Sequence, residues 1–223
     1  MKRFKIKRFS IFIFLIIFFF VSTIFLNFKI KADPIIYAEQ YYLLYSKSNN
    51  MQTVNIEQNI FYLQRALMAP FAPVVQALCK INTQEQYIRY KFLFKMHCNF
   101  LITRSYIQLA SRFDKEQIYF YNYLYKEMII ESLKVAKYYY EIALQYWDST
   151  KKEATNATKF QNYKIDIPAW EDEQAKILAG VYKYDKIIYD RLENLLKNLA
   201  YLTNWANSFQ SDQSQQDQEN NNQ

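Results

Sequence analysis

A single glycine, Gly180, and four prolines serve all 223 residues. Tight β-hairpins depend on glycine at backbone positions that other residues reach only with strain. A chain with one glycine is therefore a poor source of many-stranded sheets. Long helices joined by short polar connections remain, so the fold class read from the sequence is all-α. The lone glycine also excludes a glycine-rich phosphate loop, a dinucleotide fingerprint and a strained nucleophile elbow.

The N-terminus carries a second strong signal. Lys2, Arg3, Lys5, Lys7 and Arg8 precede an uncharged run from Ile11 to Phe28. As a helix that run is about 27 Å long, close to the hydrocarbon thickness of a bilayer. Its membrane-facing residues include Ile11, Phe14, Ile17, Phe20, Phe25 and Phe28. The basic flank is expected on the cytoplasmic side, which places the body outside. The reading is an N-terminal transmembrane signal anchor with an extracytoplasmic, periplasmic body. The alternative is a secretory signal peptide cleaved near Ala32, although this run exceeds the usual apolar region and Ile30 sits where a small residue is preferred.

The net charge of +7 suggests nucleic acid until the charges are placed. Residues 1–31 hold seven of the 28 Lys and Arg and none of the 21 acids, so residues 32–223 carry 21 charges of each sign. The surplus belongs to the anchor, and no broad footprint for nucleic acid is left.

The expected organisation is a basic stub and anchor over 1–31, one helical domain over 32–209 and a disordered polar tail over 210–223. Asp33-Pro34 reads as the start of a first helix running to Lys47, and Thr53 as the cap of a second over Val54–Ala69. A short helix is expected over Pro73–Ile81. Thr83 and Gln86 have capping-box spacing and open a helix to Arg112; Asp114–Gln117 repeats the device for a helix from Lys115 to Trp147. Residues 148–166, rich in Ser, Thr, Asn and Lys, read as a loop that contains a formal glycosylation acceptor at Asn156. Pro168 opens a last helix with one stripe from Ile177 through Val181, Tyr184 and Ile188 to Ala206 at about 3.6 residues per step. Cys79 and Cys98 are expected too far apart to pair, as free buried thiols.

Few residues offer chemistry. His97 is the only histidine; on a helix it and Cys98 diverge by about 100°, so they form no ligand pair. A partly buried helical residue is the expectation, and no cofactor or metal set is evident. Glu127 and Glu131 lie one turn apart and could serve a carboxylate-dependent cell-wall hydrolase, but they alternate with Lys126 and Lys134 as on a solvated face. Tyrosine is the unusual component of the body. Tyr119, Tyr123, Tyr138 and Tyr139 are the candidate interaction surface, because a tyrosine ring packs while its hydroxyl stays wet.

Ala136, Tyr140 and Ala143 are spaced as in the second helix of a tetratricopeptide repeat, and Asn59, Leu63 and Ala66 follow the same spacing less closely. The chain resembles that family over about 60 residues. The first-helix signature is missing: Leu124 falls at its small position and Glu127 at its aromatic one. The resemblance implies a helical-hairpin bundle that binds proteins. With the export anchor, the chain is also similar to periplasmic accessory proteins of spirochaete flagellar motors. These readings together describe a non-catalytic scaffold or adaptor in a membrane-associated assembly; a glycan- or peptide-binding module with a tyrosine-lined groove is the alternative.

Overall fold

The computed structural model describes residues 34–51, 55–114 and 125–220, with side chains to residue 204. Every described helix lies in the second of two units, 36–223. These helices are α1 (Ala38–Asn49), α2 (Ile56–Met68), α3 (Gln84–Phe113), α4 (Lys126–Thr158), α5 (Pro168–Leu178) and α6 (Tyr184–Asn220). No strand occurs among the described residues. None of their helices is long and apolar enough to cross a membrane. The anchor residues Ile11 to Phe28, like Tyr119 and Tyr123, lie outside the described residues.

Local signals fix several helix starts. Thr83 Oγ1 accepts from the Gln86 N–H at 3.2 Å, and Gln86 Oε1 accepts from the Thr83 N–H at 3.3 Å. That reciprocal bond opens α3 where the capping box places it. Pro168 stands at the first turn of α5. α1 begins later than expected, at Ala38, because Gln40 Oε1 takes the N–H groups of Ile36 and Tyr37. Asn55 caps α2, its side chain accepting from Gln58 N at 3.0 Å. The helix expected over Pro73–Ile81 is only a 3-10 turn at Val74–Gln76. Glu39 explains why this segment holds a shape without being helical. Its carboxylate, 2 % exposed, accepts the Ala72 N–H at 2.8 Å and the Tyr90 hydroxyl at 3.1 Å.

Two further sequence expectations fail. Residues 148–158 continue α4 instead of forming a loop. After Lys126, the buried positions of α4 are Ile129, Leu133, Ala136, Tyr140, Ala143, Trp147, Thr150, Ala154 and Ala157. Their steps alternate four and three, the heptad spacing of a narrow helical seam. The stripe therefore runs on through the polar stretch. Ser149, Thr150 and Thr155 hydroxyls bond back to carbonyls one turn earlier at 2.8–3.0 Å, so their polar groups are satisfied inside the helix and the buried stripe decides its length. Asn156 sits in the last turn of this helix.

The last helix is also two helices. Gly180 adopts φ 67°; its N–H bonds Ile177 O at 3.1 Å, and the Val181 N–H bonds Lys176 O at 3.0 Å. This is a Schellman stop, which needs a left-handed residue at that point. The stripe is thereby cut, and Val181 is exposed. Beyond the stop, Ile188, Leu195 and Leu202 are buried seven residues apart against α4. The polar segment from Gln210 carries the C-terminal turns of α6.

α3 and α4 are antiparallel. Phe113 O meets Ser132 Oγ at 2.8 Å, the Phe100 and Trp147 rings lie 6.3 Å apart, and those of Phe92 and Phe160 6.0 Å apart. α1 and α2 form a smaller hairpin, joined by Ala38 N–H to Pro70 O at 2.9 Å and Asn59 Nδ2 to Asn49 Oδ1 at 3.2 Å. α2 lies on α3, α5 packs on both α3 and α4, and α6 runs along α4. The repeat-like positions Asn59, Leu63, Ala66, Ala136, Tyr140 and Ala143 are all buried. The all-α reading of the body holds among the described residues.

Candidate functional site: a tyrosine-lined groove

The heptad seam of α4 has a flank. Tyr138, Ile142, Gln145 and Ser149 follow one another at steps of four and three, one position round the helix from the buried stripe. With Tyr146 of the same helix, Tyr106 of α3 and Gln64 of α2, they line a groove of about 460 Å³. Its volume falls within the range of small-ligand sites. No lining side chain is charged.

Gln64 organises the floor. Its amide nitrogen donates to Tyr106 Oη at 3.2 Å and to Tyr146 Oη at 3.0 Å. The two rings stack at 5.8 Å with 18° between their planes. Burial, then the neighbouring Tyr146, pushes the Tyr106 phenol up, while the Gln64 donor pulls it down. The Tyr106 phenol therefore keeps its proton near pH 7. Tyr139 packs on Tyr106 at 5.9 Å, and Tyr138, 60 % exposed, leans on Tyr139 at 5.8 Å. Of the four tyrosines expected at the interaction surface, Tyr138 lines the groove and Tyr139 backs it.

The sequence reading missed Gln64, Tyr106 and Tyr146, since three different helices bring them together. The tyrosines of α1 go elsewhere. Tyr42 and Tyr45 join the main core with Tyr90, Phe94 and Trp170.

His97 is half-buried on α3, as its helical position suggests, but it is not alone. Its Nδ1 lies 2.6 Å from Glu173 Oε2 and its Nε2 3.1 Å from Tyr42 Oη, and its ring stacks on Trp170 at 5.0 Å. With Nδ1 protonated, the ring donates to Glu173 and accepts the Tyr42 hydroxyl. Burial, the leading cause, pushes the Tyr42 phenol up to about 12. The cluster ties α1, α3 and α5 together. Next along α3, Cys98 is wholly buried and its thiol is pushed well up by that burial; Cys79 is free and half-buried.

Glu127 and Glu131 border an apolar recess of about 760 Å³ lined by Phe113, Met128 and Val135. Their side chains are 83 % and 66 % exposed, and Glu131 pairs with Lys134 at 2.7 Å. Neither carboxylate is desolvated as a general acid of that class requires. No cluster of three or more His, Cys, Asp or Glu able to hold a metal ion occurs among the described residues.

Residues 85–205, more than half of the chain, match the model of a family described as a domain of unknown function, DUF8513. The match takes in every groove residue except Gln64. No curated protein and no solved structure matches the chain.

Proposed function

The chain belongs to the DUF8513 family, and from that premise we propose that it is a non-catalytic, membrane-anchored, extracytoplasmic helical adaptor. It mediates protein–protein contacts in a membrane-associated assembly. The groove carries this reading: a concave, uncharged surface with Tyr138 exposed at its edge suits binding better than proton transfer. The apolar run Ile11–Phe28 and its basic flank support the anchor and the topology. The buried small residues Ala136 and Ala143 agree with a tetratricopeptide-like hairpin, and a spirochaete flagellar motor is the assembly that this resemblance suggests. The adaptor needs no cofactor and contacts no nucleic acid.

A photo-cross-linking residue at Tyr138, used in living cells, tests this. Covalent adducts with envelope or motor proteins, on a membrane-bound chain that keeps its N-terminal peptide, are the expected result. Recovery of the chain alone removes the adaptor reading. A soluble chain that begins after Ala32 replaces the anchor with a cleaved signal. The second reading, a glycan- or peptide-binding module, is favoured by the polar side chains that surround the tyrosine faces.

A further inference from the structure

We propose that the groove between α2, α3 and α4 is a binding site for an uncharged saccharide. This deepens the second reading above, the glycan-binding module, and rests on its premise that the body is an extracytoplasmic binding module. The argument begins at Gln64. One amide nitrogen donates to both Tyr106 Oη and Tyr146 Oη. Each phenol oxygen thus acts as an acceptor and keeps its own O–H to donate. Two hydroxyl donors stand side by side over stacked rings 5.8 Å apart.

The rest of the lining matches the same chemistry. Gln145 is exposed on the edge and offers both amide donors and an acceptor. Tyr138 presents an exposed aromatic ring. A sugar ring has an apolar C–H face that packs on an aromatic ring, and hydroxyls at its edge that both give and take hydrogen bonds. An anionic or cationic ligand would find no opposite charge among the lining residues. An extended peptide would ask for apolar side-chain pockets, and Ile142 is the only aliphatic residue in the lining.

The test uses the full chain in a detergent without a sugar headgroup, titrated with neutral oligomers of glucose, galactose, mannose and N-acetylglucosamine. Saturation-transfer NMR reads contact with the ligand C–H protons, and titration calorimetry reads affinity. At least one oligomer is expected to bind, with an affinity unchanged between 50 and 500 mM salt, about the range over which exposed ion pairs are screened. Tyr106→Phe and Tyr146→Phe keep the rings and remove the donors, so each weakens binding about threefold to tenfold. Gln145→Ala, on the exposed edge, gives a second readout with the fold intact if either phenylalanine variant misfolds. Absence of binding to every oligomer, indifference to all three variants, or displacement of the sugar by an uncharged peptide overturns the proposal. Cross-linking at Tyr138 separates the two claims. Partners captured without sugar binding leave the adaptor and remove the saccharide, and failure of both removes the module itself.

Discussion

Two regions of this body are held together by different means. One surrounds α3 on the side of α1, α2 and α5. It is aromatic and fastened by polar bonds: Glu39 on Ala72 and Tyr90, His97 on Glu173 and Tyr42, and Arg89 on Glu171 at 2.8 Å and on the carbonyls of Gln161 and Tyr163 at 3.1 Å. The other is the seam of α4 with α6, built from Ile129, Leu133, Ala136, Ala143, Ile188, Leu195 and Leu202. Apolar contacts reward any dense packing, whereas a buried polar group has few acceptable partners. The first region therefore specifies one arrangement of loops and short helices, and the second supplies non-directional adhesion between two long rods.

Four substitutions break or sharpen that contrast. Leu133→Ala opens a cavity in the seam and should cost about 2–5 kcal/mol in urea-induced unfolding. Glu39→Ala strands the buried Ala72 N–H on the polar side, with an expected cost of about 1–3 kcal/mol. Amide exchange should show the loss concentrated in residues 70–81; a uniform loss of protection would mean that the polar bonds do not act locally. Gly180→Ala keeps both regions but forces a side chain into the left-handed conformation, at about 1–2 kcal/mol. An added Cβ meets nothing within 4 Å, so the cost is backbone strain alone.

The smallest effect concerns pH. Folding raises the Tyr42 phenol from 10.0 to about 12. The folded chain holds that proton more tightly, so its contribution to stability is whole below pH 10 and is lost as the pH rises to about 12. Tyr42→Phe should flatten the alkaline limb of the stability curve in that window. An unchanged limb would show that Tyr42 is not buried as described.

What the sequence made legible was local. Thr83 with Gln86, and Pro168, mark helix starts through bonds and ring constraints within a turn. Boundaries set by competition between local bonds and packing are not legible in that way. Ser149, Thr150 and Thr155 look like loop residues by composition, yet Thr150, Ala154 and Ala157 keep the heptad steps begun at Ile129, and the period was the better guide. Gly180 with Lys176 one turn before it is a helix-stop signal, but apolar residues at helical spacing on both sides of it hide the break. The partners Glu173 for His97 and Gln64 for Tyr146 sit on other helices, 76 and 82 residues away. No spacing rule reaches that far. Tyr138 borders a groove that Gln64 and Tyr106 complete from two other helices, and no local pattern displays it.

The contact of Trp170 with Tyr42 has a bearing on how fast the chain can fold. α1 with α2, α2 with α3 and α3 with α4 are neighbours in order along the chain, and such short-range assembly is quick. Trp170 must instead find a ring on the first helix, 5.8 Å from it in the finished structure. Closing so long a loop carries the greater entropic cost. Trp170 thus joins the two ends of the helical order, and a chain stopped before residue 168 should leave the aromatic core open on one side.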